Sequence, residues 1–287
     1  MDIIIGKTAG FCDGVEYTVK KAKELLEKNG EIYCLGDIVH NDQVIEKLQK
    51  LGMKTIYTIE DVPDGSNVIF RAHGEPKITY ERANEKNLHI YDLTCVIVES
   101  IHEKIRQNID DSFIIIVGNK EHPEIIGSLG FAGENACVVQ SEDDILDAYM
   151  KFEKTKLDKI FVVAQTTFSS KKFDDLALEI EKNFCKVDNI EIDKTICDST
   201  ENRQLEARKL SQNCDVMLII GGEKSSNTRK LYEISQENCK RVLYIQTVSD
   251  LEKVEFDREC KIGIMAGAST PKEIIEEIKD YLERKYM

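Results

Sequence analysis

Residues 112–127 read SFIIIVGNKEHPEIIG. The apolar run from Phe113 to Val117 has the composition of a strand buried on both faces, as in a parallel sheet. A glycine-containing turn follows, and Ile125 and Ile126 are expected to begin a helix. His122 and Glu124 are thereby delivered to the carboxyl end of the strand, where ligands collect in open parallel α/β sheets. A proton donor and an anion partner presented together can bind and protonate a polar substrate. In isolation, a polar turn with Pro123 opening the next helix accounts for the same letters; recurrence elsewhere in the chain decides between the two.

Working outward, strand-like β-branched runs alternate with amphipathic, charge-rich segments from end to end, which predicts an α/β fold with parallel sheets. In the first round, a strand over 3–6 leads to Cys12 and a helix over 15–28. A strand over 31–35 then runs on to His40, a helix over 41–51 opens on Asn41 in capping position, and a strand over 67–70 delivers His73. The second round has a strand over 89–91 leading to Cys95, a helix over 98–108, the strand over 112–117 with His122 and Glu124, and a strand over 159–164 delivering Thr166. The third has a strand over 190–193 before Cys197, a helix over 202–212, and a strand over 216–220 delivering Ser225, Ser226 and Asn227. A helix over 228–238 and a strand over 261–265 bring the chain to Ser269.

The spacings support a repeat. Cys12 to His40, Cys95 to His122 and Cys197 to Ser225 are each 27 or 28 residues apart. Each round thus offers one cysteine and two polar tips at strand ends. If those ends face a common axis, three sulfurs meet with a ring of His, Thr, Ser and Asn around them. The third round lacks a closing strand, and the strand over 3–6 is expected to fill that place. The expected organisation is residues 1–13 serving the third lobe and supplying the first cysteine, with lobes at 14–96, 97–195 and 196–287.

Composition limits the partners. A net charge of −14 disfavours nucleic acid and anionic membrane surfaces, because both call for clustered Lys and Arg. No apolar run approaches the roughly 20 residues that cross a bilayer, and the first residues resemble neither a signal peptide nor an anchor. A cytoplasmic protein is expected, and nine cysteines then read as packing, ligands or catalysts rather than disulfides. CxxC pairs are absent, so a metal site has to gather distant ligands. Three thiolates can hold zinc with an open position, or three irons of a 4Fe-4S cube with the fourth iron open to substrate. Neither the P-loop nor the dinucleotide fingerprint occurs, yet His40, His73, His122 and the Ser-rich turns are anion-binding groups.

Taken together, GFCDGV at Cys12, IVHN at His40, AHG at His73, TC at Cys95, HPE at 122–124, QTT at 165–167, TIC at Cys197, RQ at 203–204, SSN at 225–227 and AGAS at 266–269 closely resemble the 4-hydroxy-3-methylbut-2-enyl diphosphate reductase (LytB/IspH) family over essentially the whole chain. The resemblance implies three α/β lobes in pseudo-threefold arrangement around a 4Fe-4S cluster ligated by Cys12, Cys95 and Cys197. It implies that His40, His73, His122, Thr166, Ser225, Ser226, Asn227 and Ser269 bind the substrate, with the C4 hydroxyl on the open iron. Glu124, His122 and Thr166 would be catalytic, with Glu124 the proton donor. A ferredoxin or flavodoxin would supply electrons. Val96 stands where the family pattern has Pro, Asp13 where a small residue is common, and Asp198 and Ser199 follow Cys197; none of these removes a proposed ligand. Other three-lobed 4Fe-4S enzymes of the quinolinate-synthase kind, a non-catalytic iron–sulfur sensor and a zinc hydrolase are the alternatives.

Overall fold

In a computed structural model, residues 1–286 are described. Among these residues, twelve strands form three four-stranded parallel sheets. One contains β2 (Ile32–Leu35), β3 (Met53–Ile56), β4 (Asn67–Phe70) and β5 (His89–Asp92), in the order β3-β2-β4-β5. The next contains β6 (Ser112–Val117), β7 (Ala136–Val139), β8 (Lys159–Ala164) and β9 (Asn189–Ile192), in the order β7-β6-β8-β9. The last contains β10 (Val216–Ile220), β11 (Arg241–Ile245), β12 (Lys261–Ala266) and β1 (Asp2–Ile5), in the order β11-β10-β12-β1. The order is the same in all three. In the last sheet the place of β5 and β9 is taken by β1, with Asp2 opposite Lys261 and Ile5 opposite Ile264.

The chain divides into two compact units. One comprises Met1–Val19, Val39–Lys47 and Asp198–Met287, the other Lys20–Ile38 and Leu48–Cys197. The sheet of β1 and β10–β12 belongs to the first unit; the other two sheets belong to the second.

Each sheet interior follows from the two-residue period of a strand. Phe113, Ile115 and Val117 of β6 pack on one face with Phe152, Phe173 and Ile180, while Ile114 and Ile116 pack on the other with Ile101, Ile105 and Ile125. The central strand is therefore apolar at every position, because both faces are covered. In β10, Val216, Leu218 and Ile220 face one cluster and Met217 and Ile219 the other. Each such fully buried side chain contributes about 1.5–3 kcal/mol.

The helices depart from expectation mainly at their starts. Helix α1 spans Asp13–Asn29, α4 Val96–Asn108 and α8 Asp198–Ser211, so α8 begins four residues before the expected helix and directly after Cys197. Helix α2 (Asp42–Lys50) opens as expected, the Val44 N–H donating to Asn41 Oδ1 at 3.1 Å. Helix α5 (Pro123–Ala132) starts at Pro123 rather than Ile125. Proline needs no N–H partner in a first turn, and His122 caps the helix by accepting the Glu124 N–H at Nδ1, 3.2 Å. Helices α3 (Lys77–Glu85) and α7 (Ser170–Asn183) lie beyond the expected elements; both carry dense charge over a narrow apolar face. Helices α6 (Asp143–Phe152), α9 (Ser226–Gln236) and α10 (Lys272–Tyr286) complete the set. Among the described residues, no helix is long and apolar enough to cross a membrane.

Candidate active site

In the second unit, the turn after β6 and the turn after β8 meet at Glu124. Its carboxylate accepts the Thr166 backbone N–H at Oε1, 2.6 Å, and the Thr166 hydroxyl at Oε2, 2.7 Å. The group is buried, and that burial lifts its pKa to about 7 against the opposing pull of the Thr166 amide and hydroxyl. Glu124 is therefore a carboxyl that can hold a proton near neutrality. The neighbouring turn is stapled by Gln165, which accepts the Asn119 N–H at 3.0 Å and donates to Thr167 at 2.8 Å. Gln165 lies within the QTT motif, but its role as a staple is visible only in three dimensions.

His73 lies beside His122, their rings edge to face at 5.4 Å between centroids. That meeting depends on close passage of α5 over the His73 turn. A side chain at Gly127 would press on the Gly74 carbonyl at 3.1 Å, and one at Gly130 would strike Pro76 at 2.5 Å. Because His122 Nδ1 accepts a hydrogen bond, its neutral tautomer carries hydrogen on Nε2. The His73 turn is closed by Gly74 N–H to the Arg71 carbonyl, 3.1 Å, and by an ion pair, also 3.1 Å, between the half-buried Arg71 and the buried Glu75. Burial nevertheless raises the Glu75 pKa, outweighing the guanidinium beside it.

In the first unit, Ser225 caps α9, accepting at Oγ the Thr228 N–H (3.2 Å) and hydroxyl (2.9 Å). Its own hydrogen remains available to a ligand. Ser226 and Asn227 follow in the first turn, where backbone N–H groups favour anions. Asn227 is buried, and among the described residues neither polar atom of its amide has a hydrogen-bond partner, a costly state that a polar ligand would relieve. Ser269 donates to the His40 carbonyl at 3.1 Å, so its hydroxyl holds the His40 backbone. Gly222 approaches the same carbonyl, and a Cβ there would lie 2.4 Å from it. Gly222→Ala is expected to cost about 1–3 kcal/mol in urea unfolding by displacing the His40 segment.

One backbone hydrogen bond recurs at the three cysteines. Cys95 N–H donates to the Ala72 carbonyl (3.0 Å), Cys197 N–H to Thr166 (3.2 Å) and Cys12 N–H to Ala268 (3.3 Å). Each acceptor stands two residues past the end of β4, β8 or β12. All three cysteines are half-buried and immediately precede a helix, where N–H groups favour a bound negative charge. The other six are placed differently. Burial pushes the thiols of Cys34 and Cys137 up to about 12 and Cys214 to about 11, and raises Cys260. Cys239 is buried against backbone carbonyls at 3.5 Å, and Cys185 is exposed. Cys12, Cys95 and Cys197 therefore fit the requirements of a thiolate-held metal group better than any other cysteine.

Three parallel sheets of one strand order, each with a half-buried cysteine beside a strand end and a helix start, define an α/β protein in which one strand arrangement occurs three times. The profile of the LytB protein family matches residues 3–283, and the chain belongs to that family. It is 39% identical over 290 residues to the 4-hydroxy-3-methylbut-2-enyl diphosphate reductase of Aquifex aeolicus, covering 99% of this chain and 96% of that one. Identity to the enzyme of the same name from Thermoanaerobacter sp. strain X514 is 40% over 284 residues, covering 97% and 95%. Among solved structures, the E-1-hydroxy-2-methyl-but-2-enyl-4-diphosphate reductase of Plasmodium falciparum superposes with a TM-score of 0.89 at 31% identity, over 98% of this chain and 87% of that one. A structure described as (E)-4-hydroxy-3-methyl-but-2-enyl diphosphate reductase, the terminal enzyme of the non-mevalonate pathway, gives 0.71 at 37% identity over 99% and 100%.

Proposed function

We infer that this chain reductively removes the C4 hydroxyl of 4-hydroxy-3-methylbut-2-enyl diphosphate, giving isopentenyl and dimethylallyl diphosphate, the last step of the non-mevalonate route to isoprenoids. The observation that carries this reading is the buried Glu124 carboxyl, clamped by Thr166 and able to hold a proton near pH 7. Each turnover breaks one C–O bond, takes up two electrons and two protons, and releases one water. A small redox protein such as a ferredoxin or flavodoxin is the proposed electron donor.

The LytB family is iron–sulfur dependent, and we propose that Cys12, Cys95 and Cys197 hold one 4Fe-4S cluster, with three lobes bounded at 14–96, 97–195 and 196–287. Such a cluster, when bound, would supply electrons and Lewis acidity to the substrate hydroxyl. The remaining work falls to the chain's own side chains. Expulsion of hydroxide is unfavourable, so a positioned acid that turns it into water lowers the barrier. Glu124 is that acid: the Thr166 hydroxyl donates to Oε2, and once Oε2 is protonated that hydroxyl can turn its hydrogen outward and accept from the acid, relaying the proton. His122 supplies an Nε2–H donor, and His40 and His73 add ring N–H donors for the diphosphate. Ser225, Ser226 and Asn227 offer two hydroxyls, an amide and the N–H groups of the first turn of α9. Ser269 joins them as a hydroxyl for the diphosphate, held beside it by the His40 carbonyl to which it donates.

The test is anaerobic. After cluster reconstitution, a reduced viologen dye should be oxidised only on addition of the diphosphate substrate, with both isoprenoid diphosphates formed. An intact cluster without substrate-dependent oxidation would favour a sensor or a quinolinate-synthase-like enzyme. Asn227→Ala is expected to raise the KM about 10–100-fold, the range set by one hydrogen bond to a charged group. The same change should leave urea unfolding unweakened, because the amide it removes has no protein partner.

A further inference from the structure

Between β1 and α1 the chain runs through Gly6–Lys7–Thr8–Ala9–Gly10–Phe11 to Cys12. Two side chains of α8 hold this segment. The Glu206 carboxylate accepts the Lys7 N–H (2.7 Å), the Thr8 N–H (2.8 Å) and the Thr8 hydroxyl (2.5 Å). One turn earlier on the helix, the buried Arg203 donates from Nη2 to the Gly10 carbonyl at 2.7 Å, while Nη1 is held by the Ser199 carbonyl at 3.1 Å and by the Ser199 hydroxyl. Burial pulls the Glu206 carboxyl up, but the Thr8 hydroxyl and the amides of Thr8 and Lys7 outweigh it and hold the group below its ordinary value. The segment is thus gripped at Lys7, Thr8 and Gly10, and the Cys12 N–H is tied to Ala268. α8 itself follows Cys197 directly in the chain.

We propose that Arg203 and Glu206 are positioning residues for the Cys12 ligand segment, acting through its backbone at Lys7, Thr8 and Gly10. The proposal rests on the reading of Cys12 as a cluster ligand. It follows from the donor and acceptor count: each contact is charge-assisted, and such bonds are about twice as strong as neutral ones. Without them, residues 7–11 ahead of the ligand would keep the Ala9 N–H bond to the Gly6 carbonyl and the packing of Ala9, while Lys7, Thr8 and Gly10 would lose their hold on α8. Entropy of that freed chain would oppose recapture of the thiol.

The experiment uses the full chain in iron-loaded and iron-free states. Glu206→Gln keeps the shape but sets an NH₂ against one of its donors, and Arg203→Lys loses the planar fork. Thr8→Val removes only the hydroxyl bond and gives a milder test should either variant fold poorly. In iron-free protein, alkylation by iodoacetamide is followed by peptide mass spectrometry at Cys12, Cys95, Cys197 and the exposed Cys185. Glu206→Gln and Arg203→Lys should raise the Cys12 rate about tenfold, leaving the other three within about twofold, and Thr8→Val should move Cys12 in the same direction by less. In loaded protein, iron release to a chelator should accelerate in the same rank order. An unchanged Cys12 rate, or an equal rise at all four cysteines, would overturn the proposal. Cys12→Ser retaining a full iron complement would overturn the ligand reading and the proposal with it, whereas failure of the clamp alone would show as unchanged alkylation with iron lost only in Cys12→Ser.

Discussion

Glu124→Gln is expected to bind iron and substrate as the parent does and to turn over roughly 10²–10⁴-fold more slowly, the range that general acid catalysis supplies. Glutamine preserves the shape of the site, and its carbonyl can still accept the Thr166 N–H seen at 2.6 Å. It cannot release a proton. In the parent, turnover should fall as pH rises through about 7, because the acid form of Glu124 is lost there. The variant's residual rate should lack that limb. Stability follows the same proton: the native pKa lies above the ordinary 4.5, so between about 4.5 and 7 the native state binds protons that the unfolded chain releases. That contribution is complete below 4.5 and declines as pH rises through 7; Glu124→Gln should flatten it. Dye oxidation, iron content and urea unfolding across pH measure these effects, and normal turnover in the variant would remove Glu124 from the mechanism.

Arg71→Ala is expected to cost about 3–5 kcal/mol, the penalty for leaving a buried carboxylate unpaired. Glu75 is 6% exposed and its carboxyl is raised even with Arg71 present. Without the guanidinium it should climb further, so the variant should be relatively more stable in acid and lose stability as pH rises toward neutrality. Glu75→Gln should be milder, since no unpaired carboxylate remains. The same turn carries His73 and accepts the Cys95 N–H at Ala72, so weaker substrate binding and slower iron uptake should accompany the loss. Urea unfolding at pH 5 and pH 8 reads the first effect and calorimetric titration the second. Equal stability loss at both pH values would show that Arg71 acts by packing rather than charge.

Much of the architecture was legible because it is written in local periods. The run from Phe113 to Val117 is apolar at every step, and the structure covers both faces of β6. The three cysteines were found by spacing, and each stands directly before a helix. Helix starts were less legible: α5 begins at Pro123 because an imidazole nitrogen caps it, and imidazole is a rare cap. α8 begins at Asp198, ahead of any apolar residue that could mark it. α3 and α7 are hard to read from the sequence because their charge density hides a narrow buried face, Ala83 alone in one and Phe173, Leu176 and Ile180 in the other.

The sequence by itself determined the class of fold, its repetition and the set of residue types available at strand ends, since period and spacing are properties of neighbouring residues. Only the tertiary structure decided what those groups are bound to. Glu124 can hold a proton because the folded chain buries its carboxyl, which outweighs the two hydrogen bonds that Thr166, from another strand end, donates to it. Ser269 spends its hydroxyl on the His40 carbonyl, and β1 pairs with β12 at the far end of the chain. Arg203 and Glu206 reach back to the turn after β1. In each case the deciding contact joins residues distant in the chain, and a carboxyl's protonation or a hydroxyl's partner depends on that contact rather than on the letters beside it.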